Sequence, residues 1–336
     1  MSLTFADVQR TAQETGFPTE TVEKVLRLLS LLNALSSHPF LKERLVLKGG
    51  TALNLFLFEV PRLSVDIDLN YIGASDRETM LAERPRVEQA ITAVCSREGL
   101  TIKWAPDDHA GGKWRVSYPT ASGQSGNIEL DINFLLRVPL WSPTRLDSRP
   151  FGGAQARQIL VLDAHELVAG KLAALLARRA SRDLFDTREV GSRLTLDVEK
   201  LRLAFVVYGG LNRIDWRTVA VSDVQAEAKE LKSQLVPMLR SGVAPTPQEL
   251  PGWTSRLVDD CHEFLAKVLP LAGHELDFLT RLNDGGEIVP ELLTGDERLQ
   301  TVIREHPALL WKALNVRQHK GQGLTEEKGI PRAGAH

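Results

Sequence analysis

The sequence predicts an α/β (α+β) fold in which a small mixed-sheet core is followed by an all-helical C-terminal domain. Two patterns carry that expectation. Between residues 45 and 134, short apolar or alternating segments recur with the period of a strand, separated by glycine-containing turns and one long helix. Beyond Asp163, apolar residues recur almost entirely at helical spacing, with a break at residues 242–247 where Gly and Pro cluster. The expected organisation is a core with an N-terminal helix over residues 1–155, a helical domain over 156–317 that completes a cleft, and a polar, glycine-containing, disordered tail over 318–336.

Taken in order, residues 19–35 form an amphipathic helix expected to pack across the start of the sheet. Residues 45–47 read as a short apolar strand and 52–58 as a helix, so Gly49 and Gly50 fall at the turn between them and Thr51 opens the helix. In residues 64–69 the alternation places Ser64, Asp66 and Asp68 on one strand face and Val65, Ile67 and Leu69 on the other. Residues 78–97 read as the next helix, 100–104 as a strand, 107–112 as a turn and 113–118 as a further strand. Residues 127–134 alternate again and put Glu129, Asp131 and Asn133 on one face. The Pro-, Gly- and Ser-rich stretch 139–153 reads as a boundary loop. Residues 164–180 form a helix with a stripe of Leu167, Val168, Leu172, Leu175 and Leu176, and Lys171 projects within that stripe. If the helix continues, Arg178 and Arg182 lie nearly in line with Lys171.

These elements carry chemistry when they are combined. Adjacent carboxylates repel unless a cation lies between them, and oxygen ligands suit a hard ion, so Asp66 and Asp68 are candidate ligands for Mg²⁺ or Mn²⁺. Asp131, an acid inside an otherwise apolar strand, is a third candidate. Backbone N–H groups at a glycine-flanked helix start make an anion site, which assigns Gly49, Gly50 and Thr51 to phosphate binding. A line of cations at Lys171, Arg178 and Arg182 facing those acids would neutralise triphosphate charge. Each element alone has a plainer reading: an exposed strand with solvated acids, a tight Gly-Gly turn, a lysine stem snorkelling past a core edge. Ser181, just before Arg182-Asp183, also fits an N-cap, with Asp183 merely complementing the helix dipole.

Four segments, namely residues 48–53 (Lys-Gly-Gly-Thr-Ala-Leu), 62–69 (Arg62, Ser64, Asp66 and Asp68 in the pattern R-x-S-x-D-I-D-L), 165–171 (His-Glu-Leu through Lys171) and 182–186 (Arg-Asp-Leu-Phe-Asp), together resemble the AbiEii/AbiGii family of nucleotidyltransferase toxins within the polymerase beta-like superfamily. Residues 306–316 are similar to the family's closing helix, and residues 195–305 carry no motif that can be named. Thr51 stands where the wider superfamily usually has Ser, and it keeps the hydroxyl. The resemblance implies the nucleotidyltransferase fold and NMP transfer from an NTP, with Lys171 and Asp186 as the functional lysine and downstream aspartate and Asp183 as the acid after the arginine. It implies as acceptor the 3′ end of tRNA, and a cognate antitoxin encoded nearby as partner. The catalytic set expected on these grounds is Asp66, Asp68, Asp131, Lys171 and Asp186. The nucleotide set is Gly49, Gly50, Thr51, Ser64, Lys171, Arg178 and Arg182, and Asp66, Asp68 and Asp131 hold two metal ions. A protein hydroxyl or a small molecule such as an aminoglycoside is an alternative acceptor, and a catalytically silent RNA- or protein-binding module is the alternative from another class.

Composition narrows the setting. The 336 residues are 43% hydrophobic and 25% charged, enough for about two domains and a sizeable core. The two cysteines, Cys95 and Cys261, have no metal-ligand spacing and fit a reducing cytoplasm. No apolar run approaches the length of a membrane span, and the N-terminus lacks a basic start followed by an apolar stretch. The net charge of −2 conceals a contrast: residues 137–193 carry ten basic and six acidic side chains, and residues 274–305 carry three and eight. A basic middle beside an acidic C-terminal part would give one face able to follow an RNA backbone and another that repels it. His165-Glu166 lacks the second His of a zinc-protease helix, because Ala169 stands four residues after His165, and Gly170-Lys171-Leu172 lacks the spacing of a P-loop.

Overall fold

The computed structural model describes residues 3–105 and 111–326, with the side chains of 320–326 left aside. The N-terminal half alternates between helices and strands: α1 Phe5–Thr15, α2 Thr19–Ser37, β1 Leu45–Lys48, α3 Gly49–Ala52, β2 Asp66–Tyr71, α4 Arg77–Arg97, β3 Thr101–Trp104, β4 Gly111–Pro119, β5 Ser125–Asn133, β6 Thr144–Leu146 and β7 Ile159–Val161. The remainder is helical: α5 Ala164–Arg178, α6 Ser181–Arg193, α7 Val198–Gly210, α8 Ala228–Gln234, α9 Leu250–Leu265, α10 Gly273–Thr280, α11 Glu297–Arg304 and α12 Pro307–Glu326, with short 3₁₀ and π turns between them. The expected mixed α/β class is therefore observed. No helix among the described residues is long and apolar enough to cross a membrane.

The seven strands form one mixed sheet in the order β3-β4-β5-β2-β1-β7-β6. β2 runs parallel to β5 and antiparallel to β1, and β1 runs parallel to β7. Leu45, Val46 and Leu47 are buried, which suits a strand near the sheet centre covered on both faces. In β2, Ile67 and Leu69 are buried while Asp66 and Asp68 are only half-buried, so the alternation predicted from sequence separates a packed face from an open one. α2 packs against α4, β5 and β7, and α3 packs against α5, the first of the C-terminal helices. α2 buries ten of its nineteen residues, a long apolar stripe that makes it a core helix.

Several boundaries differ from the sequence reading. β2 begins at Asp66, so Ser64 lies in the approach to the strand. Gly49 and Gly50 are themselves the first residues of α3, which passes into a π-helical turn at Leu53–Leu57. Residues 139–153, expected as a boundary loop, contain the edge strand β6, and β7 joins the sheet after residue 155. α5 stops at Arg178 because Arg179 adopts the left-handed conformation (φ 53°), so Arg182 lies in the next helix and off the line of Lys171. α12 extends to Glu326, over the first part of the expected tail. The expected turn at 107–112 falls largely outside the described residues, with Gly111 and Gly112 already in β4, and residues 327–336 also lie outside them.

Candidate active site

A cleft of about 670 Å³ opens between the sheet and the C-terminal helices. Its sheet wall is built by register. β2 and β5 pair so that Asp68 stands beside Asp131 and Asp66 beside Glu129, while β1 sets Lys48 beside Asp68. Carboxylates from distant parts of the chain are thus brought side by side by backbone pairing alone. Among the described residues, Asp66, Asp68 and Asp131 enter no ion pair and no side-chain hydrogen bond, whereas Glu129 is tied to Lys113 Nζ at 2.9 Å. Burial, with neighbouring acids adding to it, pushes the Asp66 and Asp131 carboxyls above the ordinary range.

The glycine turn faces these acids. Gly49 has φ 73°, and any Cβ there would collide with the Asp68 carboxylate, so only glycine fits. A Cβ on Gly50 would fall 3.1 Å from both Arg62 Nη2 and Ser64 Oγ. Thr51 is put to a different use from the expected phosphate contact. Its side chain is fully buried and its hydroxyl donates to the Asp66 carbonyl at 2.5 Å, which ties the helix start to the start of β2.

The helical wall is a buried ion cluster. Lys171 Nζ lies 2.8 Å from both Asp183 Oδ1 and Asp186 Oδ2. Asp186 also takes a two-pronged contact from Arg62, at 2.7 and 2.6 Å, and a hydrogen bond from Asn54 Nδ2 at 3.0 Å. Asp183 accepts from Arg178 Nε at 2.6 Å. Three cations thus meet two carboxylates, which leaves an excess of positive charge. The Arg178 side chain is 65% exposed and turns that excess toward the cleft. Burial acts against ionisation of both acids, but for Asp186 the charges of Arg62 and Lys171, and for Asp183 those of Lys171 and Arg178, outweigh it and hold both carboxyls below the ordinary range. Burial likewise opposes the Lys171 ammonium, and Asp186 and Asp183 keep it charged.

Of the residues expected from sequence, Gly49, Gly50, Ser64, Asp66, Asp68, Asp131, Lys171, Arg178 and Arg182 all line this one cleft. Thr51 and Asp186 are buried behind it, so Asp186 can orient Lys171 but cannot reach an acceptor. Ser181 is not the N-cap: the N-cap of α6 is Ala180, without a side-chain bond, and Asp183, although in the first turn of α6, has its carboxylate committed to Lys171 and Arg178. Arg62 and Asn54 were assigned no role from sequence, because their partner lies more than 120 residues away and no local periodicity marks it. Glu166 was also passed over. It lines the cleft, accepts from the Leu140 and Trp141 N–H groups and the Tyr208 hydroxyl, and burial pushes its carboxyl up to about 7. The basic excess of residues 137–193 is largely consumed internally: Arg188 and Arg193 pair with Glu189, Arg145 with Glu43, and Arg137 is buried. What remains at the cleft is Lys171, Arg178 and Arg182.

The arrangement can hold a polyanion between the cationic helical wall and the glycine turn, with hard-oxygen donors opposite. The profile of a family described as "Nucleotidyl transferase AbiEii toxin, Type IV TA system" matches residues 30–253, two-thirds of the sequence, and so takes in residues 195–253, in which the sequence alone showed no motif. The chain belongs to the AbiEii family of nucleotidyltransferase toxins. This AbiEii-type toxin is accordingly a nucleotidyltransferase of the type IV toxin–antitoxin class, for which a nucleotide substrate and an antitoxin partner are implied. Among solved structures it is similar to MenT4, a nucleotidyltransferase toxin from Mycobacterium tuberculosis H37Rv, with TM-score 0.60 and 22% identity over 92% of this chain and 99% of that one. That likeness is one of fold. No curated protein sequence matches the AbiEii-type toxin.

Proposed function

We propose that the enzyme transfers NMP from an NTP to a hydroxyl at the 3′ end of an RNA, with tRNA as the acceptor. The observation that carries this reading is the contrast across the cleft, where Asp66, Asp68 and Asp131, free of any direct ion pair, face a glycine turn and an ion cluster with surplus positive charge. The tRNA acceptor and a nearby-encoded antitoxin rest on membership of the family.

The donor set fits a divalent cation. Asp66, Asp68 and Asp131 are hard oxygen ligands on neighbouring strands, and burial, with the neighbouring acids adding to it, raises the Asp66 and Asp131 carboxyls although Lys24 and Arg182 act against it at Asp66 and Lys48 and Lys113 at Asp131. Among the described residues, no three His, Cys, Asp or Glu side chains are already drawn together as a finished ligand shell. These three residues would hold Mg²⁺ or Mn²⁺, which supplies Lewis-acid polarisation of phosphate oxygens and a lowered pKa for an attacking hydroxyl. The Gly49-Gly50 backbone, Ser64, Lys171, Arg178 and Arg182 bind the β- and γ-phosphates and draw charge toward the leaving group. The acceptor oxygen forms a bond to the α-phosphorus as the bond from that phosphorus to the α,β-bridging oxygen breaks, and pyrophosphate departs. Asp131, which stands beside Asp68 on the neighbouring strand, is placed to receive the acceptor's proton. Asp186 and Asp183 keep Lys171 in place and charged.

The test is incubation with each α-labelled NTP, a divalent ion and total tRNA. Label on RNA, lost in Asp66→Ala, is the expected result. Label on protein or on a small molecule would move the acceptor elsewhere. Absence of transfer with any NTP, together with a cellular phenotype unchanged by Asp66→Ala, would overturn the enzymatic reading.

A further inference from the structure

The cleft has two chemically distinct ends, set by the helix along its floor. Lining residues of α5 run from Glu166 to Arg178, twelve residues or about 18 Å of helix. Among the described residues, every Lys or Arg that lines the cleft comes from β1, the approach to β2, β4, α5 or α6. The opposite end is closed by the loop after β5, by the segment following α7 and by the start of α12, and among the described residues these contribute Leu135, Leu136, Leu211, Asn212, Ala308 and Trp311 but no cation. Lys312, next to Trp311, is turned aside, with its ammonium on the Asn212 carbonyl at 3.1 Å.

Trp311 is the exception in this apolar wall. It is 58% exposed, and of the large exposed hydrophobic side chains among the described residues it is the one that lines the cleft, while Leu310 and Leu314 on the same helix do not. An indole held open to solvent has no packing role of that extent, and its flat face is suited to a second aromatic system. Asn212 stands at the same end. Its Oδ1 accepts from the Arg213 N–H at 2.8 Å, while its Nδ2 has no partner among the described residues and remains available as a donor.

We infer that Trp311 is the platform on which the base of the incoming nucleoside triphosphate stacks, with the Asn212 amide as the donor that meets a base carbonyl. The proposal rests on the nucleotide-transfer reading above and gives it a direction. The phosphates lie toward Gly50, Arg178 and Arg182 and the base toward α12, with Lys171 between them. The cleft volume of about 670 Å³ falls in the range of roughly 300–1,000 Å³ that holds a ligand of this size.

The experiment is a calorimetric comparison of the full chain with its Trp311→Ala and Trp311→Phe variants, each titrated with every NTP and separately with inorganic tripolyphosphate in Mg²⁺. Trp311→Ala weakens NTP binding about tenfold, the loss expected for one stacked base, and leaves tripolyphosphate binding within about twofold. Trp311→Phe retains most of the NTP affinity. Because Trp311 is largely exposed, both variants keep the parent's thermal midpoint. Asn212→Ala narrows the differences among the four NTPs. Equal NTP affinity in the parent and Trp311→Ala would overturn the assignment. So would a Trp311→Ala defect confined to the KM for acceptor RNA, since the indole would then serve the acceptor's base. If the parent protein binds no NTP, the nucleotide-transfer reading fails first, and that outcome is distinct from both.

Discussion

The two walls of the cleft use the same side chain for opposite purposes. On the sheet wall, Asp66 and Asp131 are half-buried and unpaired, and both carboxyls are pushed above their ordinary range by burial. On the helical wall, Asp183 and Asp186 are more deeply buried, yet their carboxyls lie below that range because Lys171, Arg62 and Arg178 surround them. An acid can be buried in either state, and the nearby cations decide which. The helical pair is internally compensated and serves to fix Lys171. The sheet acids have cations nearby but no direct ion pair within the protein, which is the property expected of groups that meet a cation from solution.

That difference can be broken from either side. The largest effect on activity is expected at the sheet: Asp66→Ala or Asp68→Ala lowers turnover on the order of 10³-fold while the thermal midpoint stays level or rises, since a charge without a direct ion pair is removed. Label transfer and differential scanning calorimetry on the same samples check both halves. At the helical wall the balance reverses. Asp186→Ala strands Arg62 as a buried cation, leaves Lys171 with Asp183 alone, and costs about 3–5 kcal/mol of stability, readable in urea unfolding.

A smaller effect sharpens the contrast through pH. The Glu166 carboxyl, pushed up to about 7 by burial from an ordinary 4.5, binds its proton in the folded state at pH values where the unfolded chain has released it. Its contribution to stability therefore falls as pH rises from about 4.5 to 7, by at most about 1.4 kcal/mol per pH unit. The raised Asp66 and Asp131 act in the same sense. Asp183 and Asp186, being depressed, add stability above the unfolded carboxylate range that is lost on acidification through their folded values. Glu166→Gln flattens the slope of urea midpoint against pH between 5 and 8, and an unchanged slope would assign it to other groups. The smallest effect is at Arg182, which is exposed at the cleft and takes part in no ion pair among the described residues. Arg182→Ala raises the NTP dissociation constant about two- to fivefold, and that difference shrinks at high salt.

Much of this was legible in the sequence where the signal is local. Strand alternation separated Asp66 and Asp68 from Ile67 and Leu69, the Gly49-Gly50 pair marked a close backbone approach, and helical spacing turned Lys171 inward. What escaped is non-local or depends on an uncommon backbone state. Arg62 and Asn54 meet Asp186 across more than 120 residues, a pairing that no periodicity encodes. The straight line from Lys171 through Arg182 failed because Arg179, a residue that rarely takes a positive φ, ends α5 and turns the chain. β6 and β7 have only three residues each, too few for alternation to show, and Trp311 gains meaning only when α12 closes the far end of the cleft.

The most direct test of the difference between the walls is a Mn²⁺ titration, followed by electron paramagnetic resonance, of the parent protein beside Asp66→Asn and Asp183→Asn. The account predicts that Asp66→Asn loses Mn²⁺ affinity by at least about tenfold, or about 1.4 kcal/mol, while Asp183→Asn binds as the parent does. Equal binding in all three proteins, or a loss at Asp183 as large as that at Asp66, would contradict it.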